Sequence, residues 1–260
     1  MAQNIKNKSI EDIGWEIIDT NNQKKLNLLR KNVYKIVKKV FSLKETNEQK
    51  GLNFFHKYLK NLSDVELNAK KVEVINLISV DKKLVDLIFD AFSKKITSLL
   101  GNDLLVQKTI NLVIQRPFDK NPTIPHRDAP PNSFFELVIW VPLVDCIGTK
   151  SMYAIDLSST SKNLKELEKD PENWNKFLFG FKKNKKYPKV NFGQALFFLP
   201  YIYHGSDINK TNETRFSLNI RFKSLFAPSG RKFPLHFFRL FKISKISQMA
   251  LNKTKEEILK

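Results

Sequence analysis

Apolar residues recur at three- and four-residue intervals from about residue 20 to 100, and the period changes to that of short strands from about 108 to 226. In the segment NNQKKLNLLRKNVYKIVKKVF, apolar positions 26, 29, 33, 36, 37 and 40 mark one face of a helix. Ser63 followed by Glu66 reads as a capping box opening a second helix. A third stripe runs through 84, 87, 88, 91, 92, 96 and 99 and stops at Gly101. These stripes are expected to lie against a sheet and receive no chemical role.

Beyond that point the runs are short and rich in β-branched or aromatic residues: TINLVIQRPF, FFELVIWVPLV, SMYAIDL, QALFFLPYIYH and TRFSLNIRFKSLF. Turn-rich pieces such as DKNPTIP, CIGTK and VNFG separate them. Strands in series without alternating helices predict a sandwich or jelly-roll barrel rather than a parallel α/β sheet. Residues 161–187 read as a charged helical insert, and FPLHFFRLFKISKISQMALNK as a basic amphipathic segment whose aromatic face packs on the domain. The expected architecture is one α+β domain over 1–260. Its parts are mainly helical support over 1–105, a jelly-roll core over 106–226 and a C-terminal basic segment over 227–260.

Composition adds three constraints. A hydrophobic fraction of 42% with 21 Phe suits a packed β core, since aromatics fit a half-buried pleated surface. The net charge of +19 invites a nucleic-acid or anionic-membrane partner, but the basic residues are scattered, and that footprint is specific only when clustered. The N-terminal stretch lacks the apolar run of a signal peptide, and nothing approaches the ~20 apolar residues of a membrane span. With a lone cysteine, Cys146, the expectation is a soluble, reducing, cytoplasmic setting.

Candidate chemistry concentrates in TIPHRDAPPNSF, where prolines at 125, 130 and 131 stiffen a bend. His126 and Asp128, two apart on an extended segment, project to one side. His204 closes QALFFLPYIYH, where a strand is expected to emerge at a barrel mouth. Two histidines and one carboxylate form the facial triad of non-haem Fe(II) oxygenases. After ten further residues comes R-F-S-L-N-I-R-F, which sets Arg215, Ser217, Asn219 and Arg221 on one face and Phe216, Leu218, Ile220 and Phe222 on the other. A strand polar on its inner face suits a small barrel holding an anion, with Arg215 as a fork for a carboxylate and Ser217 as a second donor.

The run H-R-D at 126–128, His204, and then R-F-S at 215–217 resembles the signature of the 2-oxoglutarate- and Fe(II)-dependent oxygenases. The resemblance implies a double-stranded β-helix in which His126, Asp128 and His204 ligate iron. It also implies that Arg215 and Ser217 hold the distal carboxylate of 2-oxoglutarate and that O2 is a co-substrate. The products would be succinate, CO2 and an oxidised substrate. Within the phytanoyl-CoA hydroxylase-like relatives, IGWEIIDTNNQKKLNLLR, PHRDAPPNSFFELVIWVPL and TRFSLNIRFKSLFAPSGRKFPLHFF are similar to a subgroup found sporadically in bacterial carbohydrate-biosynthesis clusters, which implies a saccharide or glycan precursor as substrate. The Pro-Gly-Ser-His segment of the broader relatives is here DLSSTSK, so its contribution does not carry over. Related halogenases vacate the carboxylate position; with Asp128 present, hydroxylation, desaturation or epimerisation is the expected outcome.

Secondary candidates are Gln115, whose amide would reach the keto acid end, and Arg221, which would contact substrate or co-substrate or else pair with an acidic neighbour. Tyr153 and Tyr203 are expected in the core, or at the mouth. His56, His236 and Cys146 are read as structural. Two rivals stand beside the oxygenase reading. R-F-S-L-N-I-R carries two arginines separated by five residues, as in the AlkB-type nucleic-acid dealkylases. Against that reading, the His204–Arg215 interval is short for those enzymes and no aromatic-basic lid precedes the triad. The other rival is a jelly-roll binding module without turnover. Oligomeric state is not legible in the pattern.

Overall fold

A computed structural model describes residues 9–59, 62–129, 133–172, 174–229 and 234–258. The three predicted stripes become helices. Helix α1 (Ile10–Ile13) precedes strand β1 (Trp15–Asp19); α2 (Gln23–Phe41), α3 (Glu48–Asn53), α4 (Asp64–Ser79) and α5 (Lys82–Leu100) follow. Ser63 opens α4 as the capping box predicts: its backbone N–H donates to Glu66 Oε2 at 2.9 Å, and Glu66 N–H returns to Ser63 Oγ at 3.3 Å.

The strands β2 (Leu104–Gln107), β3 (Asn111–Gln115), β4 (Glu136–Pro142), β6 (Gln194–Phe198), β8 (Arg215–Ser224) and β9 (Phe238–Lys242) join β1 in one antiparallel sheet. Its order is β1-β6-β4-β8-β2-β9, with β3 also on β8. Strand β8 is the spine. One edge pairs with β4, and the other is shared by β3 over its first half and β2 over its end. A second sheet pairs β5 (Tyr153–Ala154) with β7 (His204–Gly205).

Strand β8 is buried along nearly its whole length, with polar and apolar residues on opposite faces. Phe216 and Phe222 face the helices, where edge-on aromatic contacts form: Phe55–Phe216 at 5.1 Å between centroids and, from β6, Phe92–Phe197 at 5.8 Å. Arg215, Ser217, Asn219, Arg221 and Lys223 share the opposite face. Both faces are covered, so the sheet holds an apolar layer on one side and a buried polar wall on the other.

The structure departs from the sequence expectation at the edges. β1 and β9 are strands, and β9 closes the sheet inside the segment read as a basic amphipathic tail. There Phe238 is buried and Phe241 packs on Phe89 and Phe222 at 5.1 and 5.6 Å. The insert is two helices, α6 (Leu157–Lys169) and α7 (Trp174–Asn184), and α6 starts four residues earlier than 161 because Asp156 caps it. Helices α8 (Pro234–Phe237) and α9 (Lys245–Ile258) complete the chain. No helix among the described residues is long and apolar enough to cross a membrane.

The insert has its own small core of Tyr153, Ile155, Phe181 and Tyr203, and two ion pairs clamp it: Lys186–Asp156 at 2.9 Å and Lys185–Asp207 at 2.6 Å. Burial acts to raise the Asp156 pKa, but Lys186 and the Ser159 N–H outweigh it and hold the carboxyl at about 2. Its folded pKa lies below its unfolded value, so Asp156 adds stability at pH above about 4 and loses it as pH falls toward about 2. Asp156→Ala is expected to lower the melting temperature at pH 7 and to flatten the acid limb of the melting profile in that window.

Candidate metal centre

The TIPH stretch lies antiparallel to the chain around β7. His126 and His204 exchange both backbone hydrogen bonds at 3.0 Å, and Ser206 N–H donates to the Thr123 carbonyl at 3.0 Å. This register sets the imidazoles side by side, their centroids 4.3 Å apart. Gly205 allows the approach: a Cβ there would sit 2.7 Å from the Thr123 carbonyl oxygen and against the Tyr153 hydroxyl. Gly205→Ala is therefore expected to destabilise the fold by about 1–3 kcal/mol, read as a lower melting temperature, through overpacking beside His204.

Each histidine turns Nδ1 to the carbonyl two residues back, His126 to Ile124 at 2.9 Å and His204 to Ile202 at 3.1 Å. The hydrogen bond to a carbonyl assigns the proton to Nδ1 and leaves Nε2 as the lone-pair nitrogen. Asp128 Oδ2 lies 3.8 Å from His204 Nε2, and one ligand atom from each of His126, Asp128 and His204 falls within 4.8 Å of the others. Pro130 and Pro131 of the predicted stiffened bend lie outside the described residues; Ala129 N–H ties the bend to the Pro200 carbonyl at 2.8 Å.

The charge states suit a cation. Burial pushes His204 down to about 4, against the pull of Asp128, so the ring is neutral near pH 7. Burial alone would raise the Asp128 pKa; Arg221, His204 and His126 reverse the shift, and the carboxylate stays ionised. Phe198, 4.8 Å from the His204 ring, supplies an apolar wall.

On the polar wall, Arg215 is 3% exposed, and its Nε and Nη1 have no hydrogen-bond partner among the described residues. Ser217 Oγ on the same face is likewise buried and unpartnered, as is Gln115 Oε1 on β3, opposite Arg215. A buried guanidinium with open donors is costly unless something outside the chain pairs with it, and an anion is what it fits. The start of β8 is tied down. Thr214 N–H donates to the Asn53 carbonyl at 2.6 Å, its hydroxyl meets His56 Nδ1 at 2.9 Å, and Lys150 bridges Asn53 and Glu213 at 2.8 and 2.7 Å. His56 thus supports the residue before Arg215, a long-range contact that nothing around position 56 announces.

Other candidates fall elsewhere. The Gln115 amide N–H donates to the Asp207 carbonyl at 2.8 Å, so that end of the side chain is already engaged. Of the two readings of Arg221, the structure shows the acidic neighbour: Nη2 is 2.8 Å from Asp128 Oδ2. Tyr153 and Tyr203 sit in the small core of the insert, and Arg127 stacks over Tyr203 at 5.4 Å. His236 lies on α8. Cys146 is buried and its thiol is pushed up to about 12 by burial, which leaves it unreactive. Asn219 was only placed on a face by the sequence; here its Oδ1 is another buried, unpartnered atom of the polar wall. An apolar cavity of about 550 Å³ beside α1, the end of α5 and Tyr201 includes Glu136 in its lining but none of the triad.

No protein-family model matches the chain, and no curated protein is similar to it in sequence. Solved structures do match. A structure described as a non-heme monooxygenase, the ThoJ–Ni complex, aligns over 96% of this chain and 94% of its own at 16% identity, with a TM-score of 0.54. The non-heme alpha ketoglutarate dependent carbocyclase SnoK from nogalamycin biosynthesis aligns over 91% and 97% at 13% identity and the same TM-score of 0.54. EctD from S. alaskensis aligns over 89% and 82% at 14% identity, with a TM-score of 0.50. The chain shares their fold. At such identities the likeness extends to architecture over nearly the full length and not to residue roles.

Proposed function

We propose that this protein is an Fe(II)- and 2-oxoglutarate-dependent oxygenase with a double-stranded β-helix core, acting in the cytoplasm on a small molecule of the saccharide or glycan-precursor class. One observation carries the reading: partly buried His126 and Asp128 and buried His204 bring three ligand atoms within 4.8 Å of one another, and the buried Arg215 has donors with no partner among the described residues. Two nitrogens and one carboxylate oxygen suit Fe(II) and leave positions for other ligands. The open donors of Arg215 and Ser217 suit the distal carboxylate of a diacid. The fold shared with ThoJ, SnoK and EctD supports this class. The saccharide assignment rests on the three sequence stretches similar to the carbohydrate-cluster subgroup.

When bound, Fe(II) and 2-oxoglutarate supply the oxidation, O2 giving one oxygen atom to succinate and one to the product with loss of CO2. The chain orients and protects. His126 and His204 present Nε2 because their Nδ1 protons are held by Ile124 and Ile202. Asp128 contributes an ionised carboxylate. Arg215 and Ser217 fix the far end of the diacid, so its keto acid end is delivered to the triad, and Phe198 keeps water from one side.

Anaerobic loading with Fe(II), then oxygen, 2-oxoglutarate and a panel of sugars and nucleotide-sugars, tests the proposal. Stoichiometric succinate and a product heavier by one oxygen atom are expected with at least one sugar. No 2-oxoglutarate-dependent succinate, with or without substrate, would reject the enzyme. Turnover confined to non-sugar substrates would reject the substrate class alone.

A further inference from the structure

Two arginines share the polar face of β8, and their surroundings differ. Arg215 has open donors. Arg221, 7% exposed, lies among oxygens: Nη2 is 2.8 Å from Asp128 Oδ2, Nη1 donates to Gln107 Oε1 at 3.5 Å, and Nε, which makes no hydrogen bond among the described residues, is 3.6 Å from Glu136 Oε2. The ring of Phe237 covers the guanidinium at 5.8 Å. Its Nη2 already faces the Asp128 carboxylate, which sets Arg221 apart from Arg215.

We infer that Arg221 is a positioning residue that sets the carboxylate arm of the triad, with Glu136 and Gln107 holding Arg221 in turn. The inference rests on the reading of His126, Asp128 and His204 as metal ligands. The two imidazoles are placed by backbone, through the reciprocal hydrogen bonds of His126 and His204. Asp128 lies beyond that bridge, so its side chain needs another constraint, and the guanidinium supplies one. Glu136 extends the constraint to Ser133, since its Oε1 accepts from the Ser133 N–H at 2.9 Å. Asp128 and Ser133 are therefore both held through the one Arg221–Glu136 pair. With Glu136 buried and the Asp128 side chain 10% exposed, these pairs are also screened little by solvent or salt.

The arrangement divides the labour along β8, and the division is measurable. Full-length Arg221→Met, Arg221→Lys, Glu136→Gln and Arg215→Met are compared with the unsubstituted protein by Co(II) titration, the visible spectrum of bound Co(II), and 2-oxoglutarate affinity at saturating Co(II). Arg221→Met is expected to weaken Co(II) binding by about 10–100-fold, the cost of losing a group that supports a metal ligand, and to change the Co(II) spectrum. Arg221→Lys is expected to recover part of that loss, and 2-oxoglutarate affinity at saturating Co(II) to change little in either variant. Arg215→Met is expected to show the reverse, normal Co(II) binding and lost 2-oxoglutarate affinity. Should Arg221→Met fail to fold, Glu136→Gln decides, with a smaller loss of Co(II) affinity in the same direction. Unaltered Co(II) affinity and spectrum, or lost 2-oxoglutarate with normal Co(II) binding, would overturn the inference while leaving the oxygenase reading intact. If His204→Ala binds Co(II) as tightly as the unsubstituted protein, the triad itself is wrong and both readings fall.

Discussion

Asp128→Ala is expected to reduce 2-oxoglutarate-dependent succinate release by at least about a hundredfold, since losing groups that merely support a ligand already costs 10–100-fold. His204→Ala is expected to match it. Neither histidine can move to replace the missing carboxylate, because the backbone bridge and the Nδ1 contacts fix both rings. Asp128→Ala also takes from Arg221 one of the two carboxylates it faces, so a melting curve of each variant separates lost chemistry from lost fold. Turnover within a few-fold of the unsubstituted protein in both variants would remove the metal assignment. A fall confined to variants that melt early would instead make Asp128 a structural residue.

How much of this centre was legible depends on the range of the interaction that builds each part. The polar and apolar faces of β8 follow from period-two alternation within ten residues, and the Ser63–Glu66 cap from a three-residue spacing. Each is a local pattern fixed by backbone geometry, so sequence spacing suffices. β1 was missed because W-E-I-I-D alternates poorly, and its strand state comes from pairing with β6 about 180 residues away. β9 was read as part of an amphipathic tail because F-R-L-F-K is too short to separate a period of 2 from one of 3.6. Its pairing with β2 settles the matter.

The supports of the site were hidden for the same reason. His56 against Thr214 spans 158 residues, Lys150 reaches Asn53 across 97 and Glu213 across 63, and Gln107 lies 114 residues from Arg221. Glu136 had a weak signal, a lone carboxylate at the head of the apolar run ELVIWVP. A buried acid at a strand start needs a cation, and the neighbouring strand offers two, Lys223 directly opposite and Arg221 beside it. That clue pointed to an ion pair without saying that Asp128 completed it.

Arg215→Lys is expected to raise the KM for 2-oxoglutarate by about 10–100-fold with little change in kcat. A charge-assisted hydrogen bond contributes about 1.5–3 kcal/mol, and an ammonium keeps the charge while giving up one of two prongs. Arg215→Met removes both prongs and is expected to exceed that loss by a further order of magnitude or more. Stability should move the other way. In the ligand-free protein the guanidinium is buried with Nε and Nη1 unpaired among the described residues, a desolvation cost that methionine does not carry. Arg215→Met is therefore expected to melt at a higher temperature than the unsubstituted protein without ligand, and to gain less from added 2-oxoglutarate. The firm anchoring of Thr214 by Asn53 and His56 then has a reason: it holds the strand end in place against a side chain that destabilises it until its anion arrives. A KM that does not move in either variant would transfer the anchor to another donor of the polar wall. A melting temperature that falls in Arg215→Met would mean that the guanidinium already has a partner in the resting protein.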